Sequence, residues 1–99
     1  MGQLKGLVAF VSGASRGIGR AIALELAGQG ALVAGSATTE AGAADIQKAL
    51  DAIGPGHLGV ALDVTDSAAC ERVVADVEKR IGAIAVLVNN AGITRDNLA

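Results

Sequence analysis

Large anchoring side chains are almost missing from this chain. Its 99 residues include no Trp, no Tyr and a single Phe, with one Cys, one Pro, one Met and one His. The lone thiol, Cys70, excludes an internal disulfide and gives no basis for a cysteine-ligated metal. It keeps helical step with Val73, Val74, Val77 and Ile81, which marks it as a core residue rather than a reactive nucleophile. The one imidazole, His57, sits in the turn Gly54-Pro55-Gly56-His57 without Cys or His neighbours, so it reads as solvated rather than as a ligand or base. No large excess of either charge is present, the net charge being -2. Eight Lys and Arg stand against ten Asp and Glu, the cations are scattered, and nothing suggests a nucleic-acid partner. Gly, Ser or charged residues interrupt every apolar run before membrane-spanning length. The start, Met1-Gly2-Gln3-Leu4-Lys5-Gly6, has no signal-peptide pattern, and Gly6 stands where a myristoylation motif needs Ser or Thr. These absences lead to the expectation of a cytoplasmic protein with no membrane partner.

What is present is small and aliphatic. Hydrophobic residues make up 52% of the chain, mostly Ala, Val, Leu and Ile, which is enough for one small globular domain built on many modest contacts. Apolar runs at Leu7–Val11, Ala31–Gly35, Leu58–Asp63 and Ile84–Val88 read as strands. Between them lie helical segments at Arg20–Ala27, about Thr39–Ile53 and Ser67–Ile81. The second segment puts Ala43, Ile46, Leu50 and Ile53 on one face and is stopped by the Gly-Pro-Gly turn; Asp66 is well placed to cap the third. Strands alternating with amphipathic helices predict parallel pairing through right-handed crossovers. Their continuous apolar character predicts burial on both faces. The fold class is therefore α/β, a Rossmann-like doubly wound parallel sheet represented by one wing in the order 3-2-1-4, spanning residues 1–99 without a linker or internal repeat. Its ligand crevice is expected at the carboxyl ends of the strands, where the topology reverses. The fourth strand would be left with an apolar edge that invites association, and the segment Ile93–Ala99 shows no clear period. The chain reads as a partial domain.

The most telling stretch is Ser12-Gly13-Ala14-Ser15-Arg16-Gly17-Ile18-Gly19, between the first strand and the first helix. Such a turn offers bare amide groups and the positive end of a helix to a phosphate. Gly13 would permit the sharp turn off the strand, Gly17 the approach of backbone to a diphosphate, and Gly19 close packing of helix on sheet. The spacing is G-x-x-x-G-x-G, one residue wider at its first step than the general dinucleotide fingerprint. A plainer reading, a flexible connection in a glycine-rich chain, stands beside it.

With Asp63-Val64 after the third strand and Asn89-Asn90-Ala91-Gly92 after the fourth, this loop resembles the short-chain dehydrogenase/reductases. Their cofactor turn has Thr where Ser12 stands here. The runs Gly35–Glu40 and Gly92–Leu98 are most similar to the 3-oxoacyl-acyl-carrier-protein reductases of bacterial fatty-acid synthesis. The resemblance implies that Gly13, Ser15, Arg16, Gly17, Ile18 and Gly19 hold the cofactor phosphates. It implies further that Thr38 meets the adenosine ribose end, that Asp63 and the Val64 backbone meet the adenine, and that Asn90, Ala91 and Gly92 line the path toward the nicotinamide. Plainer alternatives are that Asp63 only shapes the turn before the third helix and that Asn89 only bonds neighbouring backbone. The end of the second strand holds Gly35, Ser36 and Ala37, with no carboxylate to repel a 2′-phosphate, and Arg16 is placed to pair with one. Glu40 is a competing acid, but it falls in the first turn of the second helix. The expectation is NADPH rather than NAD.

The family reduces a carbonyl with hydride, a Tyr in a Tyr-x-x-x-Lys motif giving the proton and a Ser orienting the substrate. No Tyr occurs among these 99 residues, so no catalytic residue is assigned, and no metal site either. Ala85 stands where many members have Asp. By this resemblance the chain is the NADPH-binding portion of a ketoreductase that converts 3-oxoacyl to 3-hydroxyacyl thioesters on acyl carrier protein, truncated before its catalytic segment and inactive alone. The parent is expected to be a homotetramer. A non-catalytic nucleotide-binding module, or a reductase for another carbonyl or alcohol, is the alternative.

Overall fold

Val8–Val11, four consecutive apolar residues buried on both sides, form the central strand β1 of a computed structural model that describes residues 4–90. The remaining elements follow in alternation: α1 (Gly17–Gly28), β2 (Leu32–Ala37), α2 (Glu40–Asp51), β3 (Leu58–Ala61), α3 (Ser67–Arg80) and β4 (Ile84–Val88). The four strands make one parallel sheet in the order β3-β2-β1-β4. This is the wing read from the sequence, with boundaries moved by one to three residues at most ends.

The two faces are built differently. Ala9 and Val11 of β1 and Val33 of β2 meet Ala23 and Ala27 of α1 and Ile46 and Leu50 of α2. On the other face Val8, Phe10, Ala34 and Leu62 meet Val77 of α3, with Ala69, Cys70, Val73 and Ile81 half-buried around them. Small side chains on the first face let α1 and α2 lie close against the strands. Bulkier ones hold α3 further off. Cys70 thus packs in the core as its spacing implies, and its thiol donates to the Val64 carbonyl at 3.5 Å.

Three expectations need correction. Burial on both faces holds for β1 and nearly all of β2, but of the two edge strands β3 is only half-buried and β4 alternates, with Ala85 and Leu87 exposed. An extra residue lies between the pairs Val8–Ile84 and Ala9–Val86, so Ala85 bulges. Ile84 consequently packs with the α3 side while Val86 and Val88 pack with the α1 side. Ile53 is 44% exposed, since α2 ends at Asp51 before the helical period can turn it inward. His57 is not solvated. It is only 7% exposed, and its Nδ1 accepts the Val33 N–H at 3.0 Å. Pairing of β2 with β3 begins one residue later, at Ala34–Leu58, so the ring takes the place a strand carbonyl would fill. Burial pushes the imidazole below its ordinary value of 6.5, against a smaller opposing pull from Asp51.

Gln47 completes that edge. Its Oε1 accepts the Gly59 N–H at 2.8 Å, and its Nε2 donates to the His57 carbonyl and to Asp51 Oδ1, each at 3.0 Å. A helical side chain thereby covers part of the outer rim of β3.

Candidate functional site

The carboxyl ends of β1, β2 and β4 meet around the glycine-rich turn. Ser12 N–H extends the pairing with β4 by donating to the Val88 carbonyl at 3.0 Å, and Ala14 N–H donates to the Ser36 carbonyl of β2 at 2.7 Å. The turn is therefore fastened on both flanks. Gly13 (φ 63°) and Gly17 (φ 65°) lie in the left-handed region, where other residues are strained. Gly13 does what its position suggested. At Gly17 a side chain would meet open space, so its dihedral angle is the local requirement.

Helix α1 opens differently from its neighbours. Asp66 caps α3 as expected, by accepting the Ala69 N–H, and Thr39 caps α2 by accepting the Gly42 N–H. Arg16, at the head of α1, makes no side-chain cap bond, and the first turn contains no acid. The leading amides of a helix have no intrahelical acceptor, so this end carries partial positive charge beside the turn. Such an arrangement suits an anion.

Gly19 shows why helix and strand can approach here. A Cβ at this position would collide with the Gly13 carbonyl and lie 2.6 Å from the Asn90 amide nitrogen. Asn90 Nδ2 donates to that same carbonyl at 3.1 Å. The end of β4 is thereby stitched to the turn. Asn89 serves a separate contact, its Oδ1 lying 3.3 Å from the Ser12 hydroxyl, which also stands 3.4 Å from the Val88 carbonyl.

Arg16 and Thr38, far apart in sequence, line one open cleft of about 420 Å³ with Ser15 and Gly42. Glu40 occupies the first turn of α2, as its placement in the sequence implied. Ile18, 73% exposed, lies on the outer side of α1 beside Ala21 and Ile22. Val64 is half-buried and borders a separate cavity of about 230 Å³ with Ser12 and Asn89. Asp63 joins neither space. Its Oδ1 accepts the Thr65 hydroxyl at 2.6 Å and the Thr65 N–H at 2.9 Å, and these bonds hold the carboxyl below the ordinary Asp range. The turn-shaping alternative thus has a physical basis, while Oδ2 carries no described bond. Ala91 and Gly92 lie outside the described residues. Among the described residues no cluster of His, Cys, Asp or Glu could hold a metal ion, and no helix is long and apolar enough to cross a membrane.

Sequence reasoning missed Gly42. A Cβ there would stand 2.9 Å from Ala37 Cβ and 3.2 Å from Ser15 Cβ, so this glycine lets α2 sit beside the turn. The signal was available, because a glycine inside a helix runs against propensity. Ser12 and Asn89 were also missed as a pair. Neither residue type announces a partner 77 positions away.

A four-stranded parallel sheet, a glycine turn at the switch in strand order and an open helix end together define a Rossmann-like type of domain. The chain belongs to the short-chain dehydrogenase/reductase family, whose profile, described as short chain dehydrogenase, matches residues 7–99. It is 54% identical over 96 residues to the 3-oxoacyl-acyl-carrier-protein reductase FabG of Vibrio harveyi. Identity is 52% to FabG of Escherichia coli K12 and 48% to that of Pseudomonas aeruginosa, over the same length. Each alignment covers 97% of this chain but only 38–39% of the relative. The chain therefore spans well under half the length of the curated relatives it matches.

Proposed function

We propose that this chain holds the adenosine-diphosphate end of NADPH for a ketoreductase that reduces 3-oxoacyl thioesters carried on acyl carrier protein. The observation that carries the reading is the uncapped, acid-free start of α1 beside a turn fastened to β2 and β4. Backbone around Gly13, Ser15, Gly17, Ile18 and Gly19 would hold the diphosphate. Arg16 and Thr38, facing one cleft, would hold the 2′-phosphate of the ribose. Asn90 keeps the turn in shape through its bond to Gly13, and Asp63 keeps one carboxylate oxygen available for the adenine amine. When bound, the nicotinamide supplies hydride. By the family resemblance proton transfer would fall to a Tyr and substrate orientation to a Ser, and the 99 residues include no Tyr, so neither role is assigned to them. The names and identities of the relatives support the substrate class, and the lack of a strand-end carboxylate after Gly35 supports the phosphorylated cofactor.

Fluorescence titration with NADPH and NADH tests the reading. Saturable NADPH binding is expected, and Arg16→Ala should weaken it by about tenfold, the worth of one exposed charge-assisted contact, while leaving NADH nearly unchanged. Equal losses for both nucleotides would remove Arg16 from the 2′-phosphate role. Absence of binding to either would remove the function.

A further inference from the structure

The cleft at the end of β2 contains a charge that no motif announced. Asp45, on α2, borders it together with Arg16, Thr38 and Gly42. It stands three residues beyond Gly42, hence on the same side of the helix, and Gly42 contributes no side chain to screen it. Asp45 also borders the adjoining groove with Arg20 and Lys48. Three cations are thus nearby, yet the ion pair formed among the described residues is Arg80–Asp76 on α3. The Asp45 carboxylate is exposed and is not tied to Arg16, Arg20 or Lys48 by a described bond. Its field therefore acts on whatever enters the cleft.

A 2′-phosphate and a 2′-hydroxyl would feel that field very differently. The phosphate is a dianion drawn to Arg16, and a carboxylate across the same space both repels it and competes for the guanidinium. The hydroxyl is neutral and is nearly indifferent. We propose that Asp45 sets the cofactor discrimination of this chain, holding its preference for a 2′-phosphorylated dinucleotide below what Arg16 and Thr38 alone would give. This rests on the reading of the cleft as the 2′-phosphate end of the cofactor. The effect belongs to affinity at the ribose and not to the reacting end.

The test is calorimetric titration of the unaltered protein, Asp45→Asn and Asp45→Ser with four probes. Adenosine 2′,5′-bisphosphate and NADPH carry the extra phosphate; adenosine 5′-monophosphate and NADH do not. Both variants should bind the first pair about two- to five-fold more tightly at low ionic strength, a gain that shrinks as salt screens the charge. Binding of the second pair should not move. Equal changes for all four probes would mark a merely structural role and overturn the proposal. So would no change, or weaker binding of the phosphorylated pair, which would make Asp45 a support for Arg16. If the unaltered protein binds none of the probes, the parent reading fails and takes this one with it. If it binds them and only the ratio stays fixed, Asp45 alone is wrongly assigned.

Discussion

Single residues here act mainly through what their neighbours cannot move. Any side chain at Gly19 would run into the Gly13 carbonyl and into the Asn90 amide that bonds it. Gly19→Ala should therefore force the turn open, costing about 1–3 kcal/mol as overpacking does and abolishing nucleotide binding; urea unfolding and NADPH titration read the two effects separately. A variant that binds normally would deny the turn its role. His57 offers a prediction in pH. Its imidazole is pushed below its ordinary value by burial, so the unfolded chain binds the proton more readily. Its contribution is complete above about pH 6.5 and declines as pH falls through that value toward the lower folded one. Protonation of Nδ1 also removes the acceptor of the Val33 N–H. His57→Gln, which keeps an acceptor and cannot titrate, should flatten the fall in unfolding free energy below about pH 6.5. An unchanged slope would assign the acid sensitivity elsewhere. The reading of His57 as a solvated loop residue failed because a turn composition says nothing of where the ring swings.

At the scale of elements, periodicity and caps carried most of the information. The alternation of apolar runs and helical faces located all seven elements, and Asp66 was legible as a cap because its side chain acts within three residues. Longer-range devices were not legible. The bulge at Ala85 depends on how two strands match length, which neither strand encodes by itself. Likewise, Gln47 looked like an ordinary polar helix residue until β3 was laid beside it. Gln47→Ala strips the Gly59 N–H and the His57 carbonyl of their partner and should destabilise the chain by about 1–2 kcal/mol. The same change uncovers the β3 rim. Faster hydrogen exchange at Gly59, with β1 unaffected, is the expected signature; uniform exchange would mean the edge is held otherwise. In the candidate site, the glycine turn and Arg16 were visible as local pattern. Their meeting with Thr38 followed only from the strand order, and the charge of Asp45 beside them followed from neither.

For the whole molecule, the contrast between faces matters more than any one contact. Leu87 is 68% exposed on β4 and borders the α3-side cavity with Cys70 and Val74. The 99-residue chain studied by itself should associate with rising concentration through this strand, and Leu87→Lys should reduce that in sedimentation without altering nucleotide affinity. Equal association by both forms would point to another surface. The opposite face, where Gly19, Gly35 and Gly42 bring α1, α2 and the turn together, has no slack of this kind. Anyone seeking a hardier version of the protein should add methyl groups around Cys70 and Val74. The same additions beneath the glycine turn would crowd the seat proposed for the diphosphate.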